Sequence, residues 1–328
     1  MRSKLLTIAK VLVSLGLIVY VFGHVPLAAV GGQLGTARLA PLLLAFALYL
    51  TAMTLNAVKW QVLLRAQAIT IPFRALLRFQ FIGFFFNNLP SATVAGDVMR
   101  GYGLARYTDR TADAAVSVIV DRIVGLTAYM ATAAVAAVIA SRVTGRGELA
   151  GIEIVAVVAL LALAAILAVL LSRRLRGLIS RVFAWPPLAR LAPLWERTSE
   201  AFNCYRFRYA ALAVAFGVAL LGIGCTTLVN WFVSQSMGGL MPLLYILLFN
   251  PLIALVLMIP ISIGGLGLSQ NAYTSFFGLV GVPAGHALAV SLLMNLIQIL
   301  ASLPGGVLWL QIRRQGGAPA GGEALSGV

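Results

Sequence analysis

Six apolar windows, each of about 20 residues, have the length an α-helix needs to cross the hydrocarbon of a bilayer. They run from Leu5 to Phe22, Leu39 to Val58, Ala114 to Ala140, Ile152 to Leu171, Tyr209 to Ser236 and Gly285 to Ile312. A soluble fold has no place for such a succession. With 61% hydrophobic and 10% charged residues among 328, the polar surface needed to cover a water-facing globule is missing. The expectation is an all-α polytopic membrane bundle with about six full spans. Two further apolar stretches, Leu76 to Gly103 and Pro242 to Val282, are interrupted. They predict two broken or re-entrant helical elements related as an internal repeat.

The formal charge of +15 does not point to nucleic acid, because Lys and Arg sit in short loops beside apolar spans, as the positive-inside bias requires. Arg2, Lys4 and Lys10 place the N-terminus in the cytoplasm. The same reasoning puts there the loop marked by Lys59, Arg65, Arg74 and Arg78, the arginine-rich segment 172–208, and Arg313 with Arg314. If Leu76 to Gly103 crossed fully, Arg100, Arg106 and Arg110 would lie outside, and so would the arginines of segment 172–208. A hairpin dipping in from the cytoplasm avoids this. Between Arg208 and Arg313 there is no Lys or Arg, so the second broken stretch is either a hairpin from the outer face or two short crossings. The reading gives residues 1–312 as one membrane domain in the cytoplasmic (inner) membrane of a bacterium, with both termini inside. Segment 172–208 reads either as an interfacial amphipathic helix or as a plain topology signal. Residues 313–328 read as a disordered Gly/Ala-rich tail.

The first break is Asn87-Asn88-Leu89-Pro90-Ser91, followed by Gly96, Asp97 and Arg100; the second is Pro260-Ile261-Ser262-Ile263-Gly264-Gly265-Leu266-Gly267. Unpaired backbone groups are costly in lipid, so a helix broken at Pro90 or Pro260 must be buried in protein or line a wet cavity. The half-helix after a break begins with free amides and a dipole that favours anions. Glycines there would admit a head group close to the backbone. Asp97 and Arg100, three apart, share a helix face. They pair with each other, or Arg100 holds a phosphate while Asp97 meets an ammonium. Asn87, Asn88 and Ser91 add neutral hydrogen bonding.

Asp121-Arg122 lies inside an apolar run, where charge is expensive and normally faces the bundle interior. Adjacent helical residues point about 100° apart, so each needs a partner elsewhere, and Asp97 or Arg100 is the obvious one. Asn230, Asn250, Gln270, Asn271, Asn295 and Gln298 are read mainly as interhelical glue, with Gln270 and Asn295 kept as substrate contacts. Cys204 and Cys225 suggest no disulfide, and His24 and His286 suggest no metal site. No catalytic set and no cofactor motif is visible.

At these residues the chain resembles the flippase-like transmembrane region of the lysylphosphatidylglycerol synthase family. The resemblance rests on Phe85-Phe86-Asn87-Asn88-Leu89-Pro90 with Gly96-Asp97-Val98-Met99-Arg100, and on Ser117-Val118-Ile119-Val120-Asp121-Arg122-Ile123-Val124-Gly125. Pro260 with Gly264-Gly265-Leu266-Gly267 belongs to it, as do Gly281-Val282-Pro283 and Leu303-Pro304-Gly305. Two positions depart from that pattern: Gln270 stands where it has an acid, and Asn295 where it has an arginine. They amount to one ion pair replaced by an amide pair.

The resemblance implies movement of a polar-headed lipid: a phospholipid, an aminoacyl lipid, a polyprenyl-phosphate glycolipid or a hopanoid-type lipid. Its substrate site would comprise Asn87, Asn88, Pro90, Ser91, Gly96, Asp97, Arg100, Asp121, Arg122, Ser262, Gly264, Gly265, Gly267, Gln270 and Asn295. Two other functions stay open. One is an integral-membrane lipid or glycosyl-lipid transferase with Asp97 or Asp121 as base. The other is a scaffold subunit whose partner is a lipid-synthesis enzyme. The oligomeric state is left open.

Overall fold

The computed structural model describes residues 27–88, 95–144, 203–205, 207–258 and 265–314, with isolated positions between 151 and 172. The described regular structure is helical. A short helix α1 (Leu27–Gly35) precedes α2 (Leu39–Ala66), α3 (Phe73–Asn87), α4 (Ala95–Thr108) and α5 (Thr111–Thr144). After a turn of 3-10 helix (Asn203–Tyr205) come α6 (Tyr209–Ser236), α7 (Leu243–Met258), α8 (Leu268–Gly278) and α9 (Ala284–Arg314). Among the described residues four stretches are long and apolar enough to cross a membrane: Leu39–Ala66, Thr111–Ile139, Tyr209–Ser236 and Ala284–Ile312. Four of the six expected windows are therefore present. The window from 5 to 22, most of that from 152 to 171, most of the arginine-rich segment and the tail beyond Arg314 lie outside the described residues.

Both interrupted stretches are hairpins. Along α3 and α4 the contacts run in opposite senses: Asn87 and Gly83 meet Gly96, Gln80 meets Arg100, and Phe79 meets Gly103. The two helices approach closely because both contact positions lack a side chain. A β-carbon on Gly96 would fall on the Gly83 carbonyl oxygen, and one on Gly83 would lie 2.7 Å from the Gly96 carbonyl oxygen. At 15 and 14 residues, or roughly 21–22 Å, these limbs are too short to cross about 30 Å of hydrocarbon. In α7 and α8, Phe249 packs on Phe276 and Phe277, while Leu257 faces Gly265. That again is an antiparallel pairing, and at 16 and 11 residues, or roughly 24 and 16 Å, these limbs too are short of about 30 Å of hydrocarbon, which favours the hairpin over two crossings.

The faces follow from helix order. Helix α2 ends where α3 begins and where α4 hands over to α5, so the first hairpin enters from that face. Helix α6 runs antiparallel to α2: the Arg38 amide donates to the Ser236 carbonyl at 2.9 Å, and the Tyr205 hydroxyl donates to the Leu63 carbonyl at 3.2 Å at the other end. The second hairpin, between the end of α6 and the start of α9, therefore enters from the opposite face. Span, hairpin, span occurs twice in inverted sense, with helix lengths of 28, 15, 14 and 34 residues against 28, 16, 11 and 31. Such inverted repeats place sites where the broken elements converge.

The hairpins converge on α9. Gly305 and Gly306 let α9 sit directly on Phe81 and Phe85 of α3. The Asn88 amide donates to the Gln298 carbonyl at 3.4 Å, and one turn away the Asn295 amide donates to the Ser269 hydroxyl at 3.3 Å.

Single cysteines in a chain whose Cys204 and Cys225 are replaced by serine test the two entry faces. Thr70→Cys and Asp109→Cys should react with an impermeant maleimide from one side of sealed vesicles. Leu240→Cys and Leu279→Cys should react only from the other. Labelling of all four from one side would contradict the inverted hairpins.

Candidate functional site

Five charged side chains inside the N-terminal repeat form one alternating chain: Lys59, Asp121, Arg100, Asp97 and Arg122. Asp121 lies ten residues into α5, about 15 Å from the helix start, and Lys59 lies seven residues before the end of α2, about 10 Å. Both are thus within the membrane-spanning length. The Lys59 ammonium is 3.1 Å from Asp121 Oδ1, off the line of a hydrogen bond to that oxygen, and donates instead to the Asp121 main-chain carbonyl at 3.4 Å. Asp121 Oδ2 receives Arg100 Nη1 at 2.8 Å. Arg100 then turns Nε and Nη2 to Asp97 Oδ1, each at 3.0 Å. The other oxygen of Asp97 takes Arg122 through Nε at 2.7 Å and Nη2 at 2.6 Å.

Arg100 is the middle of this chain and is itself buried. Beyond its two carboxylates, Nη1 donates to Gln80 Oε1 at 3.3 Å, and the guanidinium lies 5.0 Å from the centroid of the Trp60 ring. Trp60 is held by a hydrogen bond from Nε1 to Ser117 Oγ at 3.1 Å. A planar group that serves two carboxylates, an amide and an aromatic face needs arginine; lysine has neither the fork nor the stacking surface. Lys59 and Asp121 are equally buried, whereas the Arg122 side chain is 38% exposed. The chain therefore has a closed end at Lys59 and an accessible one at Arg122.

The expected partners for Asp121 and Arg122 are found: Asp121 meets Arg100 and Arg122 meets Asp97. Asp97 and Arg100 also pair with each other. Lys59, Trp60 and Gln80 were not foreseen as site residues. Lys59 looked like a loop marker because its apolar window ends at Val58, but α2 continues to Ala66 and draws the lysine into the span. A lysine about two turns before the end of a helix that closes on Arg65 and Ala66 was the available signal.

The neutral candidates around the first break hold the hairpin. Asn87 Oδ1 accepts the Gly96 amide at 3.0 Å, satisfying a donor in the first turn of α4, and Asn88 ties the end of α3 to α9. Gly96 faces Gly83 and Asn87, so its missing side chain serves helix packing. Pro90, Ser91, Pro260, Ser262 and Gly264 lie outside the described residues.

Beyond the second break, Gly265 and Gly267 have φ of +74° and +78°, which only glycine adopts without strain. Gln270 Oε1 accepts the Gly267 amide at 2.7 Å and the Ser269 hydroxyl at 3.0 Å. Asn295 reaches the same Ser269, so the expected amide pair is bridged by a serine. Elsewhere in this half, Asn230 joins Asn250 at 3.2 Å and receives the Tyr273 hydroxyl at 2.6 Å. His286 lies between Ser234 and Gln33. These are interhelical contacts, and no cluster of three His, Cys, Asp or Glu that would hold a metal occurs among the described residues.

The two repeats correspond residue by residue here. Asp97 and Gln270 each stand third in their half-helix, and 25 residues separate Asp97 from Arg122 as they do Gln270 from Asn295. The Asp97–Arg122 ion pair is thus the charged counterpart of the Gln270–Ser269–Asn295 bridge.

Comparison with known proteins identifies the family. Residues 7–305 match the family described as the lysylphosphatidylglycerol synthase TM region. A UPF0104 membrane protein from Pyrococcus horikoshii is 25% identical over 294 residues, covering 83% of this chain and 87% of that protein. The chain belongs to the lysylphosphatidylglycerol synthase TM region family and is an integral membrane protein.

Two stability predictions follow from the pairing. Asp121→Asn strands Lys59 and one arm of Arg100 in the interior and should cost about 3–5 kcal/mol. Arg110→Gln, which breaks an exposed pair with Asp113, should cost at most about 1 kcal/mol; thermal unfolding of both variants in one detergent gives the comparison. In the C-terminal repeat, Asn295→Arg alone should lower the unfolding midpoint, and Gln270→Asp added to it should recover most of the loss. No recovery would separate the two positions.

Proposed function

We propose that this protein moves a polar-headed membrane lipid between leaflets, as a flippase or scramblase, and that the head group passes the end of the ionic chain at Arg122. Supporting this reading is one observation above all: a charged assembly sits well inside the spanning length, at the tip of a hairpin, with one guanidinium left accessible. Charge at that depth is expensive and is normally associated with a polar path. The arrangement of two inverted hairpins meeting on one helix is the kind that alternating-access carriers use around a central site.

The substrate class is a phospholipid, an aminoacyl lipid, a polyprenyl-phosphate glycolipid or a hopanoid-type lipid. In this reading the protein lies in a cytoplasmic membrane with both termini inside. The face that bears Arg65, Arg74, Arg78 and Arg106 is then the cytoplasmic one, as the positive-inside bias demands. Arg122 would contact the head group. Arg100, Asp97, Asp121 and Lys59 would hold Arg122 and the hairpin in place, while Gln270 and Asn295 would line the neutral side.

No catalytic residue is assigned. A transferase with Asp97 or Asp121 as base is the weaker reading, because two cations already crowd each carboxylate, where a base has to come within hydrogen-bond reach of a substrate proton.

Reconstituted in liposomes, the protein should expose an inner-leaflet fluorescent phospholipid to dithionite faster than empty vesicles do. Arg100→Ala, matched to wild type in size-exclusion profile, should slow the exposure at least tenfold, since its loss disconnects both acids. Equal rates for variant and wild type would remove the ionic chain from the transport path.

A further inference from the structure

The ionic chain does not balance. Its three cations, Lys59, Arg100 and Arg122, meet two anions, Asp97 and Asp121, and each anion takes two cations. Of the nine Asp and Glu in the sequence, four are among the described residues. Of these, Asp109 is exposed in the turn before α5, and Asp113 pairs with Arg110 at 2.7 Å. No described acid is left for the third cation. Uncompensated charge within the spanning length is expensive, so the chain calls for an anion that the described residues do not supply.

The open valence is at Arg122. Its Nε and Nη2 both go to Asp97 Oδ2, and among the described residues nothing binds Nη1. The Lys59 end is enclosed, its side chain 7% exposed against 38% for Arg122. Arg122 also stands beside the first turn of α4, through Asp97, where the helix dipole favours negative charge.

We propose that the site takes a lipid whose head group presents a single negative charge, a phosphodiester bound by Arg122, and that it makes no ionic contact with an amine. This rests on the lipid-transport reading and narrows its substrate. Both carboxylates are saturated by cations, and the position that repeats Asp97 in the other half is Gln270, whose oxygen is engaged by the Gly267 amide and the Ser269 hydroxyl. A cationic head therefore finds repulsion from Arg122 and, among the described residues, no free acid to offset it. Lys59, Asp121, Arg100 and Asp97 are positioning residues.

The test is lipid binding to the full chain in detergent by native mass spectrometry, which does not depend on transport. The probes are dioleoyl phosphatidylglycerol, its lysyl ester, and the uncharged diacylglycerol with the same tails. Wild type should retain phosphatidylglycerol about tenfold better than diacylglycerol, the factor that one charge-assisted contact of about 1.4 kcal/mol provides. The lysyl ester should bind no better than phosphatidylglycerol, and Arg122→Gln should reduce the tenfold preference to near equality. Equal retention of phosphatidylglycerol and diacylglycerol by wild type would overturn the proposal without any variant. So would tighter binding of the lysyl ester, or an unchanged preference in Arg122→Gln. The preference with no leaflet exchange in liposomes would leave the charge rule standing and remove transport. Exchange of all three lipids at one rate, without the preference, would do the reverse.

Discussion

Arg100 is the joint on which the N-terminal repeat is assembled. It lies on the return limb of a hairpin that cannot cross the bilayer, and it must be fastened to helices that can. One guanidinium does this by reaching Asp121 on α5 and the Trp60 face on α2, while keeping Asp97 of its own helix in line. In water such contacts would be worth little. In a low-dielectric interior each member is costly alone and is tolerated only when every partner is present. The chain is therefore a requirement for a single arrangement of the hairpin more than a source of net stability. The glycine contact between Gly83 and Gly96 works with it by setting how closely the limbs approach.

The C-terminal repeat solves the same geometric problem without charge. Where Arg100 stacks on Trp60 in the first half, Tyr273 donates to Asn230 in the second; where Asp97 holds Arg122, Gln270 and Asn295 meet through Ser269. Replacing a buried ion pair by neutral hydrogen bonds is often close to neutral in energy, because the desolvation cost disappears along with the attraction. Stability alone thus gives no reason to keep charge in only one half. The anion proposed above would give one, since among the described residues the ionic chain carries one more cation than anions and ends at the accessible Arg122.

Much of this was legible in the residues. Window lengths gave four spans that the structure contains, and charge parity required the first hairpin, because a full crossing would have put the arginines on the wrong face. The pairings of Asp121 and Arg122 followed from two facts: adjacent helical residues cannot pair, and Asp97 and Arg100 were the nearest opposite charges. Whether the second stretch is a hairpin or two short crossings was not legible, since a stretch without Lys or Arg carries no topological mark. Lys59 was misjudged for the opposite reason. As a basic residue at the edge of an apolar window it looked like such a mark, whereas the helix runs on past it. The roles of Asn87 and Asn88 were hidden as well, because an amide that closes a hairpin and one that faces a ligand have the same sequence signature.

The convergence of both hairpins on α9 bears on how a site between them would change access. Asn88 and Ser269 reach α9 one turn apart, at Gln298 and Asn295, through single hydrogen bonds of 3.4 and 3.3 Å. Contacts of this kind are worth about 1 kcal/mol each, far less than the ionic chain that fastens the first hairpin to α2 and α5. The first hairpin is thus fastened to its own helices by charge and to α9 by close packing, Phe81 and Phe85 against Gly305 and Gly306 and Phe86 against Trp309. A rocking of one repeat against the other would shift that packing together with the two neutral hydrogen bonds and keep the charged contacts within the first repeat. Arg122 belongs to the part that stays intact, so a head group held there would keep its counter-charge while its surroundings changed.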